Sequence, residues 1–147
     1  MEIPINYLAV IVSTIASMAL GFVWYGPLFG KQWAGLMGWT KESMMDMNAH
    51  LKDRGLSMNK IYAIQAVGSL IMAFVLSHAL VFASTYLHES GVSAGLQTGF
   101  WNWLGFIAPV TIGVVLWEGK PWKLWLLLSG YWLVNLLVMG VILALWV

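Results

Sequence analysis

Four long apolar stretches divide this chain, and its basic residues fall in only two of the intervals between them. The stretches run from about Ile3 to Tyr25, Ile61 to Tyr86, Leu96 to Trp117 and Lys123 to Trp146. Each matches the roughly 20 apolar residues that a helix needs to cross a hydrocarbon core about 30 Å thick. The first, at 1.5 Å per residue, reaches roughly 35 Å, enough to cross with some tilt. Lys31, Lys41, Lys52, Arg54 and Lys60 lie between the first two stretches, and Lys120 and Lys123 lie between the last two. The N-terminal tip, the second interval and the C-terminal tip carry no Lys or Arg. Four crossings put both basic intervals on one side of a membrane, and the positive-inside rule makes that side cytoplasmic. The expectation is a multi-pass protein of the cell's inner (cytoplasmic) membrane. Both termini are outside, and connectors 26–60 and 118–122 are inside.

Composition supports this and narrows the chemistry. The 147 residues suit one transmembrane domain covering 1–147. Only 9% are charged, against about 25% in soluble domains. No Asp, Glu, Lys or Arg falls within the helix cores, where a charge usually marks a relay or transport path. The absence of Cys excludes disulfides, thiolate metal sites, thiol catalysis and lipidation of a cysteine. No basic tract suggests nucleic acid, and no motif implies a cofactor or a resident metal. The first stretch reads as a retained helix rather than a signal peptide, because Glu2 replaces a basic n-region and the run is too long. Aromatic residues form two belts at the expected interfaces: Tyr7, Tyr86, Trp101, Trp103 and Trp146 outside, and Trp24, Tyr25, Tyr62, Trp117, Trp122 and Trp125 inside. Tyr131 and Trp132 lie deeper and are expected to pack against other helices.

The 26–60 connector is long but patterned. Phe29, Trp33, Leu36 and Met37 recur at helical spacing, as do Met44, Met47 and Leu51 after Thr40, a suitable N-cap. Short amphipathic helices lying on the inner surface are expected there, with Gly55-Leu56-Ser57 ending the second. A faint repeat relates Trp24-Tyr25-Gly26, Lys31 and Trp33 to Trp117-Glu118-Gly119, Lys120 and Trp122. One reading is a duplicated helical hairpin, two in tandem. The other is the ordinary frequency of Trp and Gly at membrane exits.

Few residues could carry chemistry. Ala9, Ser13, Ser17 and Gly21 line one face of the first helix, and Gln65, Ser69, Ala73 and Ser77 line one face of the second. Such rows either pack the two helices together or form an oligomer seam or polar pathway. His78, Asn102, Asn135 and Gln65 are the candidate polar intramembrane set. His78 and Asn102 fall at similar depth and could meet across facing helices, as a titrating or binding site or as a plain interhelical hydrogen bond. Asn135 needs a partner, with Ser17, Ser69, Thr111 or a second subunit in reach. Pro109, flanked by Gly105 and Gly113, is expected to kink the third helix. Glu42, Asp46, His50 and Asp53 share a helical face, which reads as a solvated surface before it reads as a metal site.

The segment Gly21-Phe22-Val23-Trp24-Tyr25-Gly26-Pro27-Leu28-Phe29-Gly30-Lys31-Gln32-Trp33 resembles the signature of a bacterial membrane-protein family catalogued as domain of unknown function 1761. Trp103-Leu104-Gly105-Phe106, Glu118-Gly119-Lys120, Gly130-Tyr131 and Met139-Gly140 agree with it. Pro109-Val110-Thr111 departs from it, standing where a more polar run with Asn is expected. The resemblance implies a small four-helix integral membrane protein and brings no reaction, substrate or catalytic residue. Trp24, Tyr25, Gly26, Pro27, Phe29 and Trp33 read as a corner that ends the first helix and docks the connector on the membrane surface, or as a ligand-binding corner.

The fold expected is an all-α, four-transmembrane-helix bundle with short interfacial amphipathic helices between helices 1 and 2. Its functional readings are a small homo-oligomeric channel or transporter, an accessory protein that docks a protein partner or lipid through 26–60, and an intramembrane enzyme. For the last, His78 is the one acid or base available in the core.

Overall fold

The structure is a computed structural model and describes residues 4–146. Among these residues it is all helical. Four helical spans are long and apolar enough to cross a membrane: Tyr7–Leu28, Met58–Leu87, Gly91–Leu116 and Trp122–Leu145. The expected start at Ile3 lies outside the described residues; the first helix, α1 (Tyr7–Val23), begins after Asn6. Asn6 fixes that boundary because its side-chain oxygen accepts from the backbone N–H of Leu8 and Ala9, at 3.1 and 3.2 Å. Its Nδ2 also donates to the Trp146 carbonyl at 2.9 Å, tying the start of the first span to the end of the last.

The α1 helix leaves its regular course at Gly26, whose φ of −103° and ψ of −106° are not helical. Trp24–Leu28 forms a wide π turn, closed by the Phe29 N–H on the Trp24 carbonyl at 2.9 Å. Pro27 cannot continue the α pattern, so the chain turns here. The connector then folds into α2 (Gly30–Met37), α3 (Lys41–Met45) and α4 (Met47–Asp53). Left-handed Gly38 stops α2, and the Thr40 hydroxyl caps α3 in a reciprocal box with Ser43.

The second span is α5 (Met58–Leu87), capped by Ser57. The third begins as α6 (Gly91–Asn102), five residues earlier than the apolar pattern indicates. Its first turns look polar in sequence, but the polarity is confined to one exposed side. There Gln97 donates to Ser93, at 3.1 Å, and Ser93 to Glu89, at 3.2 Å. The opposite side presents buried Ala94, Gly95, Thr98 and Gly99. Beyond Asn102 the span widens into a second π turn, Trp103–Ile107, and continues as α7 (Ala108–Thr111) and α8 (Gly113–Leu116). Pro109 has no N–H to give back, and the displaced backbone is recovered by side chains. The Thr111 hydroxyl donates to the Ile107 carbonyl at 2.7 Å, and the Trp125 indole donates to the Thr111 oxygen at 3.2 Å. The fourth span is α9 (Trp122–Leu145).

In the bundle, α9 touches each of the other three spans and α6 most closely. The α6–α9 contact rests on Gly95 and Gly99, one turn apart. A Cβ on Gly95 would run into the Gly140 carbonyl, and one on Gly99 would lie 2.6 Å from the Leu136 carbonyl oxygen. This is small-xxx-small packing, in which dispersion replaces the hydrophobic drive that lipid cannot supply. The core above it holds Ala9, Ala73, Leu76, Leu80, Met139 and Leu143.

Candidate functional site

The corner residues singled out in the sequence do assemble, around Tyr131 of α9. The Tyr131 ring lies 5.1 Å from that of Tyr25 and 6.0 Å from that of Trp24. From there a continuous aromatic path leads into the connector: Tyr25 to Trp33 at 4.9 Å, Trp33 to Trp39 at 4.8 Å, and Trp24 to Phe29 at 4.7 Å. Tilted aromatic pairs at such distances add attraction beyond the area they bury. The wide turn at Gly26 and Pro27 delivers Trp24 and Phe29 to one side and swings α2 back against α9. Gly30 permits the turn, since a Cβ there would lie 2.7 Å from the Tyr25 carbonyl oxygen. Gly21 leaves room for Tyr131, whose hydroxyl donates to the Ser17 carbonyl at 3.4 Å. The Trp24 indole N–H is buried with no acceptor among the described residues.

Above the corner runs a polar seam. Ser17 donates to Ser69 at 3.2 Å, so the small-residue rows of α1 and α5 meet inside one chain. Ala9, Ser13, Ser17, Ser69, Ala73 and Ser77 are all buried, while Gln65 at the N-terminal end of its row is exposed. Asn135 is wholly buried. Its Nδ2 faces the Met139 sulfur at 3.6 Å, a weak partner, and its Oδ1 has none among the described residues. The Ser13 hydroxyl is likewise buried and unpartnered. Of the partners expected for Asn135, neither Ser17, Ser69 nor Thr111 bonds to it.

His78 and Asn102 do not meet. Each donates to the carbonyl four residues back in its own helix: His78 Nδ1 to Phe74, and one N–H of Asn102 Nδ2 to Thr98, both at 2.8 Å. A carbonyl only accepts, so its neighbour must be the donor. This puts a proton on Nδ1 of His78 and identifies the nitrogen end of the Asn102 amide. Asn102 lies eleven residues, about 16 Å, along the span that begins at Gly91.

Asn102 lines a crevice of about 380 Å³ between α5 and the third span. Ile71 and Val75 form one wall, Asn102 and Phe106 the other, and buried Leu136 lies behind. Ile71, Val75 and Phe106 are more than half exposed, so the crevice opens sideways. Nothing in the apolar pattern marks Phe106 or Val75; the nearest sequence signal is Gly105 before Pro109, which allows the span to widen. Gly95 and Gly99 escaped the sequence reading too, although their four-residue spacing is the pattern that finds such contacts.

The row Glu42, Asp46, His50 and Asp53 is broken at Asp46, where α3 ends and α4 begins. Among the described residues, no three His, Asp or Glu side chains gather closely enough to hold a metal ion.

The family described as a protein of unknown function (DUF1761) matches residues 8–144, and the chain belongs to it. No curated protein and no solved structure matches the chain. The family's Trp24–Trp33 segment and Gly130-Tyr131 are far apart in sequence and adjacent in the fold.

Proposed function

We propose that this member of the family is a small channel- or transporter-like protein that works as a homo-oligomer in the cytoplasmic membrane. Its pathway passes the crevice between the two helical hairpins. The observation that carries this is the crevice itself, a recess with one amide in its wall beside a widened, proline-bearing turn. Irregular backbone within a membrane span is tolerated where it lines a cavity or is buried in protein. The buried seam of Ser13, Ser17, Ser69 and Asn135 offers further polar groups inside the bundle. Gln65, exposed on a single bundle, would find its partner across a subunit contact. The basic connectors 26–60 and 118–122 face the cytoplasm, with both termini outside and α2–α4 lying along the inner surface.

The test uses protein reconstituted in vesicles, with three probes: ionic current, release of carboxyfluorescein, and flipping of a fluorescent-tagged amphiphile. At least one should cross faster than in empty vesicles, and Val75→Trp, which fills the crevice, should stop it without changing helix content or assembly. Passage unaffected by Val75→Trp, or no passage of any probe, contradicts the proposal.

A second reading, docking of a protein partner or anionic lipid through the connector, is favoured by one observation. A recess of about 320 Å³ lies between α4 and the start of α5, lined by Leu51, Lys52, Leu56 and Met58. The Lys52 ammonium beside apolar side chains suits an anionic headgroup at the inner surface. Copurification of phosphatidylglycerol that is lost in Lys52→Glu would support it; a clean preparation would oppose it.

A further inference from the structure

We propose that the α5–third-span crevice binds an uncharged, mainly hydrocarbon molecule that carries one hydroxyl or N–H donor, with Asn102 Oδ1 as its acceptor. This rests on the crevice being the working site and names the class of molecule it takes.

Four observations lead there. The crevice walls are apolar, with Ile71 and Val75 facing Phe106, so the body of the occupant is hydrocarbon. No Asp, Glu, Lys or Arg lines it, so nothing compensates a charged occupant. One N–H of the Asn102 amide is taken by the Thr98 carbonyl, while its Oδ1 accepts no hydrogen bond among the described residues, so the amide brings an open acceptor, beside its second N–H, to the crevice wall. An acceptor set among apolar side chains on a membrane-spanning helix has little water to pair with and favours any molecule that brings it a donor. The volume, about 380 Å³, falls within the range of small-molecule sites. Exposure of Ile71, Val75 and Phe106 gives such a molecule a lateral entrance from the membrane.

His78 lies on the same stripe of α5 as Ile71 and Val75, one turn further from Val75. Its donor is spent on the Phe74 carbonyl, so in the neutral ring Nε2 is another acceptor at the outer approach.

The experiment is photoaffinity labelling of the full chain in nanodiscs of phosphatidylcholine and phosphatidylglycerol. The probes are a diazirine-bearing long-chain alcohol and its methyl ether, which keeps the body and loses the donor. The alcohol should label peptides containing Ile71–Val75 and Phe106 about 3- to 10-fold more than the ether, the ratio expected of one hydrogen bond in a membrane. Asn102→Leu should bring the alcohol down to the ether's level, and Val75→Trp should suppress both. Equal labelling by alcohol and ether in the wild type overturns the proposal, and that comparison needs no variant to fold. Label spread evenly over all four spans marks annular lipid and overturns it too. If alcohol and ether label equally while Val75→Trp still blocks passage of a probe, the transport reading stands and the ligand class falls. If the alcohol is selected but nothing is transported, the site stands and the transport reading falls.

Discussion

Substituting Gly99 by Ala probes the close α6–α9 contact with a single methyl group. A Cβ at Gly99 would sit 2.6 Å from the Leu136 carbonyl oxygen and 2.8 Å from its carbon, where ordinary contact begins at 3.4 Å. Both neighbours are backbone, so no side chain can swing aside. The helices must separate by about 0.8 Å, or α6 must rotate, and either loosens the row from Gly95 to Asn102 against α9. Overpacking of this kind costs about 1–3 kcal/mol. Helix propensity pulls the other way, because Ala is favoured over Gly by up to about 1 kcal/mol in an exposed helix. Gly68 supplies the control: it lies within α5, and a Cβ there meets nothing within 4 Å. Reversible unfolding in mixed micelles should show Gly99→Ala destabilised by about 1–3 kcal/mol and Gly68→Ala unchanged or slightly stabilised. Gly95→Ala should resemble Gly99→Ala, and the pair should cost less than their sum, because the first substitution already parts the helices. If Gly99→Ala and Gly68→Ala behave alike, the α6–α9 contact is not the close approach described.

Three further outcomes follow from the same structure. Gly21→Ala puts a methyl 3.0 Å from the Tyr131 hydroxyl, whose ring is held by Trp24, Tyr25 and Trp132. It should lower stability by about 1 kcal/mol, and Tyr131→Phe in the same chain should recover much of that, read as a coupling in a double-mutant cycle. Asn135→Leu removes an amide whose oxygen is buried without a partner among the described residues, so stability should hold or rise by about 1–3 kcal/mol, whereas Asn135→Asp should lower it, both read as unfolding midpoints. The chain contains no Cys, so single cysteines label cleanly. With an impermeant maleimide on intact cells, Ser90→Cys should react and Lys120→Cys should react only after lysis; the reverse would invert the topology.

The spans were legible because lipid demands length and apolarity, and four runs met both. Thr40 and Ser57 were legible as boundaries because a hydroxyl before a helix has one common use there. The rows at Ser17 and Ser69 could be paired because neighbouring helices in a short chain must pack and only small residues let them. Helix rotation was not legible. In lipid the outward face of a helix is as apolar as its inward face, so periodicity alone cannot say which way His78 or Asn102 points. The expectation that these two meet failed for that reason: each donates to a carbonyl of its own helix. The start of α6 was hidden by the polar Ser93 and Gln97, which lie on one exposed edge of the helix rather than in a loop. The corner was visible as a motif, but its anchor, Tyr131, comes from a helix more than a hundred residues later, a distance no local pattern spans.

The most direct measurement is native mass spectrometry of the protein released from nanodiscs, with bound molecules retained. The account predicts a defined homo-oligomer carrying an uncharged apolar molecule with one hydroxyl or N–H, lost in Asn102→Leu while the oligomer persists. A monomer carrying only phospholipid, unchanged by Asn102→Leu, would contradict it.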